Sequence, residues 1–187
     1  MFLDLVEKTG EIAAWDSESS GRQGDYDRLY VISVKPFGKP PVTFKIGSNL
    51  QDKGLVKEAR DYLNSFKAWI TFYGRGFDTL LLNTRLLRWG YPPLEKIPHV
   101  DMYFQLKYKL LTGRKSQAHL LEFLEDTMTL MGITPEKKIS VSPNVWSDLP
   151  THYKKNIAIL VERCESDTCG LEALYRTTRQ MIREITR

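Results

Sequence analysis

Asp16 and Glu18 stand one residue apart in AAWDSESSG, inside a segment that otherwise reads as a buried β-strand. Acids are depleted in strands, so the pair asks for a reason. Side chains alternate along a strand, which puts both carboxylates on one face, opposite Trp15 and Ser17. Their Cα atoms are then about 7 Å apart, and both can reach a common ion. Asp78 follows the apolar burst AWITFY and the turn GRG at the entrance of a helix. It therefore projects from the C-terminal end of a central strand, where α/β sheets place their sites. Asp167 falls within the helical apolar stripe Ile157, Leu160, Cys164, Leu171 and Leu174, while Glu162, Glu165 and Glu172 read as the solvated face. A solvent-facing edge would account for Asp16 and Glu18 alone, and the helix dipole for Asp78 alone. A carboxylate on a core-facing stripe, however, needs a partner. One partner serves all four: clustered carboxylates repel unless a divalent cation such as Mg²⁺ or Mn²⁺ holds them ionised. Two such ions about 4 Å apart stabilise the attacking and leaving oxygens of an in-line phosphoryl displacement. The chemistry expected is hydrolysis of a phosphodiester.

The elements that must position these groups follow from periodicity. Residues 10–18, 29–36 and 41–47 read as three strands with short turn-forming links, an antiparallel meander. Leu55, Val56, Ala59, Tyr62, Leu63 and Phe66 recur at helical spacing over 54–66. Residues 68–73 are apolar on both faces and predict a central strand. A helix over 78–89 ends at Gly90 before Pro92 and Pro93. HVDMYFQ (99–105) reads as a fifth strand, 116–131 as a helix, and 151–186 as one or two helices. The proline-punctuated stretch 134–150 reads as a surface loop. This pattern predicts a mixed α/β layer architecture of about five strands, the first three antiparallel, flanked by helices.

The chain has 187 residues and its composition, 42% hydrophobic and 27% charged, is that of a globular protein. A single domain over 1–187 is expected. No apolar run approaches the ~18 residues that cross a bilayer, and the acidic N-terminus MFLDLVEKTGE is unlike a signal peptide, which leads to the expectation of a cytoplasmic protein without a membrane partner. Cys164 and Cys169, five apart on one helix, point in different directions and predict neither a disulfide nor a shared metal. The net charge of +4 is compatible with a polyanionic partner.

The order D-x-E (Asp16, Glu18), then G-x-x-F-D at a helix start (Gly74, Phe77, Asp78), then helical C-E-x-D (Cys164, Glu165, Asp167) resembles the DEDD (DnaQ-like) superfamily of 3′ to 5′ exonucleases, which have a ribonuclease H-like fold. WDSESSG is similar to that family's first motif, and ITFYGRGFDTLLLNTRL to its second, in the version found in family B polymerase proofreading domains. HVDMYFQL is similar to a strand that commonly follows. The resemblance spans residues 12–175. It implies that Asp16, Glu18, Asp78 and Asp167 are catalytic and bind two Mg²⁺ or Mn²⁺ ions, and that the substrate is single-stranded nucleic acid, DNA favoured over RNA. The sequence departs from the family at one point. The third motif normally carries a Tyr four residues before its last Asp or a His five before it; Arg163 and Glu162 stand there instead.

Candidate substrate contacts are Ser17 beside the first motif, Arg75 between two glycines, Tyr73 or Phe77 as a stacking aromatic with the core as the alternative place for Phe77, Lys115 in the basic stretch 107–115, and Arg163 one turn from Asp167 as either a phosphate ligand or a salt-bridge partner. Asp101 is expected either to support the metal site or to cap the segment after it. No histidine is assigned a catalytic role. Dimerisation is expected as one way for a small nuclease to lengthen its groove.

Overall fold

The structure, a computed structural model, describes residues 2–182. Strands β1 (Ile12–Ser19), β2 (Leu29–Pro36), β3 (Val42–Lys45), β4 (Ala68–Thr71) and β5 (His99–Asp101) form one sheet in the order β3-β2-β1-β4-β5. The first three pair antiparallel with one another, as the meander predicts, whereas β1, β4 and β5 run parallel. Parallel pairing requires a crossover, and helix α2 (Lys53–Leu63) and helix α3 (Asp78–Arg88) supply the two that lead into β4 and β5.

Pairing between β1 and β4 stops at Ala14↔Ile70. Asp16 and Glu18 therefore overhang the neighbouring strand, and the two chains part to open a cleft at their C-terminal ends. On the other side β1 stays paired to β2 as far as Glu18↔Val31, where the register shifts by one residue. Such bulges re-aim side chains beside sites.

Two apolar layers cover the sheet. Ala13, Trp15, Val56 and Leu82 belong to the layer beneath α2 and α3, and Ile12, Ala14 and Ile70 to the opposite one. The long helix α8 (Tyr153–Thr178) contributes to both, through Leu160 and Cys164 on one side and Leu171 and Leu174 on the other. The Ser33 and Thr168 hydroxyls, 3.1 Å apart, tie α8 to β2 and fix the height of Asp167 above the sheet. At the other flank, Asp52 accepts from Arg85 Nε (2.7 Å) and Nη2 (2.8 Å), Trp89 Nε1 (2.8 Å) and Leu29 N (3.0 Å). Burial pushes this carboxyl up, but the four donors more than offset it and hold it below its ordinary value. The network anchors α3, and with it Asp78, to the start of β2.

Several expected boundaries are corrected. The fifth strand ends at Asp101, whose side chain accepts from Tyr103 N (3.2 Å) and starts helix α4 (Met102–Leu106). The helix expected over 116–131 is two, α5 (Gln117–Phe123) and α6 (Glu125–Leu130), broken where Leu124 takes φ −101°, ψ 8°. The loop 134–150 contains a helical turn, α7 (Asn144–Ser147). An N-terminal helix, α1 (Phe2–Thr9), buries Leu3 and Val6 and was not expected. Glu172 is not solvated: it is buried and bound by Lys35 (2.6 Å), Arg176 (2.8 Å) and Gly38 N (3.2 Å). The helix expected to 186 ends at Thr178, followed by a 3-10 turn over Arg179–Met181; its last expected residues lie outside those described. Cys164 and Cys169 are free thiols.

Candidate active site

The four carboxylates arrive from three elements. Asp16 and Glu18 come from the overhanging end of β1, Asp167 from the middle of α8, and Asp78 from the first turn of α3, one tight turn after β4. Gly74 makes that turn possible, because a Cβ there would lie 2.5 Å from the Thr71 side chain. Tyr73 supplies the rest of the turn with φ at 65°, a left-handed conformation that a bulky residue seldom adopts and that clusters at functional sites. Asp101 holds it there, accepting from Tyr73 N and Arg75 N, both at 2.9 Å.

These groups meet in one cleft of about 690 Å³, lined by all four carboxylates together with Ser17, Arg22, Phe72, Tyr73, Gly76, Phe77, Lys138 and Arg163. Oxygens of Asp16, Glu18 and Asp167 lie within 4.8 Å of one another. Asp78 stands just outside this trio and accepts a 2.5 Å hydrogen bond from Ser17 Oγ. Asp167 is 2% exposed and its Oδ1 has no hydrogen-bond partner. A buried carboxylate oxygen left unpaired is costly, and hard oxygen donors of this kind suit Mg²⁺ or Mn²⁺. The residues therefore fit a divalent cation.

Electrostatics agree. Burial, then the charges of Asp78, Asp167 and Glu18, push the Asp16 carboxyl well above its ordinary value. Burial raises Asp78 to about 6, against the opposing hydrogen bond from Ser17. Glu18 is also raised by burial, with Arg163 opposing. Clustered carboxylates raised in this way are acids that an opposite charge would hold ionised.

Two cationic side chains reach into the cluster. Arg163 donates from Nε to Glu18 Oε1 (2.7 Å) and from Nη1 to Ile139 O (2.7 Å), and stacks on Trp146, 5.2 Å from its ring. Trp146 Nε1 itself donates to Glu18 Oε2 (2.9 Å). Lys138 Nζ lies 2.7 Å from Asp167 Oδ2. The segment 137–146 is thus strapped along the cleft by the same carboxylates that could hold a metal. Lys138 and Trp146 are not among the sequence-derived candidates. Their signal was a lysine pair and a tryptophan in an otherwise polar loop.

Of the expected substrate contacts, Ser17, Tyr73, Phe77 and Arg163 line the cleft. Arg75 does not. Its guanidinium turns to the sheet edge and donates to His99 O at 2.5 Å. Lys115 is also diverted, donating to Lys107 O (2.5 Å) and Leu110 O (2.9 Å). Asp101 caps and braces rather than joining the acidic trio. His99 pairs with Thr71 Oγ1 (2.7 Å), and burial followed by the Arg75 charge lowers it to about 3.

A family model of the RNase H superfamily matches residues 14–179. The chain belongs to the RNase H superfamily. Among solved structures, the family B DNA polymerase of the hyperthermophilic archaeon Pyrobaculum calidifontis superposes with a TM-score of 0.69 at 14% identity, covering 90% of this chain and 24% of the polymerase. This RNase H superfamily chain thus spans about a quarter of that enzyme's length. A protein described as the apo form of a nuclease superposes at 0.58 with 18% identity, over 91% of this chain and 72% of its own. At these identities the likeness is one of fold, and no curated protein sequence matches the chain. No helix among the described residues is long and apolar enough to cross a membrane.

Proposed function

We propose that this RNase H superfamily chain is a DEDD-type, metal-dependent 3′ to 5′ exonuclease acting on single-stranded nucleic acid, DNA in preference to RNA. The observation that carries the reading is the convergence of Asp16, Glu18 and Asp167 within 4.8 Å around an unpartnered buried oxygen, at the floor of an open cleft. Asp16, Glu18, Asp78 and Asp167 would hold Mg²⁺ or Mn²⁺, two ions as the motif resemblance implies. Bound metal supplies a nucleophile at neutral pH and charge stabilisation at the phosphate.

The chain's own side chains do the rest. Ser17 keeps Asp78 turned toward the cleft. Lys138 and Arg163, which line the cleft, would hold phosphate oxygens, Arg in bidentate fashion and Lys as a point charge. No Tyr or His stands where the family's water-orienting group belongs, so that task falls outside the third motif. Phe72, Tyr73 and Phe77 along the cleft favour a strand with unpaired bases. The DNA preference is supported by the second motif's likeness to polymerase proofreading domains.

One observation favours a second reading, a non-catalytic nucleic-acid-binding protein: Lys138 and Arg163 already neutralise Asp167 and Glu18. Incubating 3′- and 5′-labelled DNA and RNA single strands with Mg²⁺ or Mn²⁺, beside an Asp16→Asn variant, separates the two. Stepwise shortening from the 3′ end, abolished by EDTA and by the substitution, is expected. Binding without cleavage supports the second reading, and shortening only from the 5′ end overturns the first.

A further inference from the structure

We infer that the aromatic ledge beside the cleft, built from Tyr73, Tyr103 and Phe104, is a stacking platform for the nucleobases upstream of the bond to be cleaved. The inference rests on the nuclease reading and adds to it a binding surface outside the metal-holding cluster.

Tyr73 and Phe104 are 46% and 44% exposed although they are large aromatics. Their rings lie 5.8 Å apart at only 30°, an offset stack that leaves a broad face to solvent. Tyr103 packs against both, edge-on, at 5.1 and 5.2 Å. The fold holds this arrangement by a buried carboxylate: Asp101 accepts the backbone N–H groups of Tyr73 and Tyr103 together. It thereby locks the left-handed Tyr73 and the start of the Phe104 helix to each other.

Three features select nucleobases as the occupant. Tyr73 itself lines the cleft that contains Asp16 and Asp78, so the ledge continues directly from the proposed site of cleavage. Its ring lies across Gly76, where a Cβ would come within 2.6 Å, so the glycine lets the ring lie flat at the rim. Lys107 Nζ stands 5.7 Å from the Tyr103 ring, which places a cation where the phosphate of a stacked nucleotide would pass. Stacking is indifferent to sequence, because every base has a π-face, and it needs bases that are free of a duplex.

The test is binding without turnover, read by fluorescence anisotropy in EDTA with a labelled 12-nucleotide (dT) strand. Each of Tyr73→Ala and Phe104→Ala should weaken binding about tenfold, whereas Tyr26→Ala, an exposed tyrosine elsewhere, should leave it unchanged. A strand with abasic sites upstream of its 3′ end should bind the wild type as weakly as the intact strand binds the variants, and the variants should no longer distinguish the two strands. Circular dichroism on each variant checks that it folds. Undiminished binding by both variants overturns the ledge, as does an equal loss on a blunt duplex. So does a wild-type dimer in sedimentation that Phe104→Ala dissociates, since the face would then be covered by a second copy. A chain that binds strands through these rings but cuts nothing overturns the nuclease reading alone. One that cuts, with ledge variants binding normally, overturns the ledge alone.

Discussion

The ammonium of Lys138 lies 2.7 Å from one carboxylate oxygen of Asp167, whose other, buried oxygen has no partner. A lysine from a loop and an aspartate from the middle of a helix thus form an ion pair at the floor of the acidic cleft. A divalent ion bound as proposed would compete with Lys138 for Asp167. Lys138→Met should destabilise the protein in EDTA by about 1 to 3 kcal/mol, read as a lowered thermal midpoint, because a buried carboxylate loses its partly solvated counter-charge. It should also enlarge the stabilisation produced by Mn²⁺. A Mn²⁺-induced shift no larger than that of the wild type would falsify the competition.

Asp78 ties stability to pH. Burial raises its carboxyl from about 3.8 to about 6, so the folded chain holds a proton that the unfolded chain has released. Stability from this group is therefore full below about pH 4 and is lost as pH rises through about 6. His99, lowered to about 3 by burial, contributes the opposite slope, losing stability as pH falls below about 6.5. The Asp78 effect is for that reason read as a difference. Relative to Asp78→Asn, the wild type without metal should lose on the order of 3 kcal/mol between pH 4 and pH 7. Urea unfolding of both proteins at several pH values measures it, and a flat difference would exclude the mechanism.

Arg163 uses its planar fork in three ways at once, toward Glu18, Ile139 O and the face of Trp146. Lysine can reproduce the charge but neither the fork nor the stack. Arg163→Lys should cost about 1 to 2 kcal/mol and loosen the segment 137–146. Trp146, half-buried, should become more accessible to acrylamide, while the buried Trp15 and Trp69 stay protected. Unchanged quenching would show that the strap does not depend on the guanidinium.

Gly74 sets the turn that delivers Asp78. A methyl group at this position meets the Thr71 Cβ and Oγ1 at 2.5 Å, and Thr71 is engaged with His99. Gly74→Ala should destabilise the protein by about 1 to 3 kcal/mol through overpacking. It should also reduce cleavage more than Gly54→Ala, a substitution that meets nothing within 4 Å. Equal activity of the two variants would mean that the turn tolerates the shift.

Asp16, Glu18 and Asp167 were legible in the sequence because each violates a local rule, two acids in a strand and one on an apolar helical stripe, and Asp78 because it follows a central strand at the end where α/β sheets place their sites. So was the antiparallel meander, since strand periodicity and short turns are local signals. What the local pattern left open was the partner of each charge. Arg163, which the sequence left between a phosphate and a salt bridge, meets Glu18, 145 residues away. Lys138 and Trp146 reach Asp167 and Glu18 from a segment with no periodicity to read, and Arg75 and Lys115, basic residues placed where a phosphate contact was expected, are turned to backbone carbonyls. The acids announce themselves because burying a carboxylate is costly wherever it occurs. Lysine and arginine do not, because long flexible side chains are cheap to place, and only the packed sheet and α8 decide which acid each one reaches.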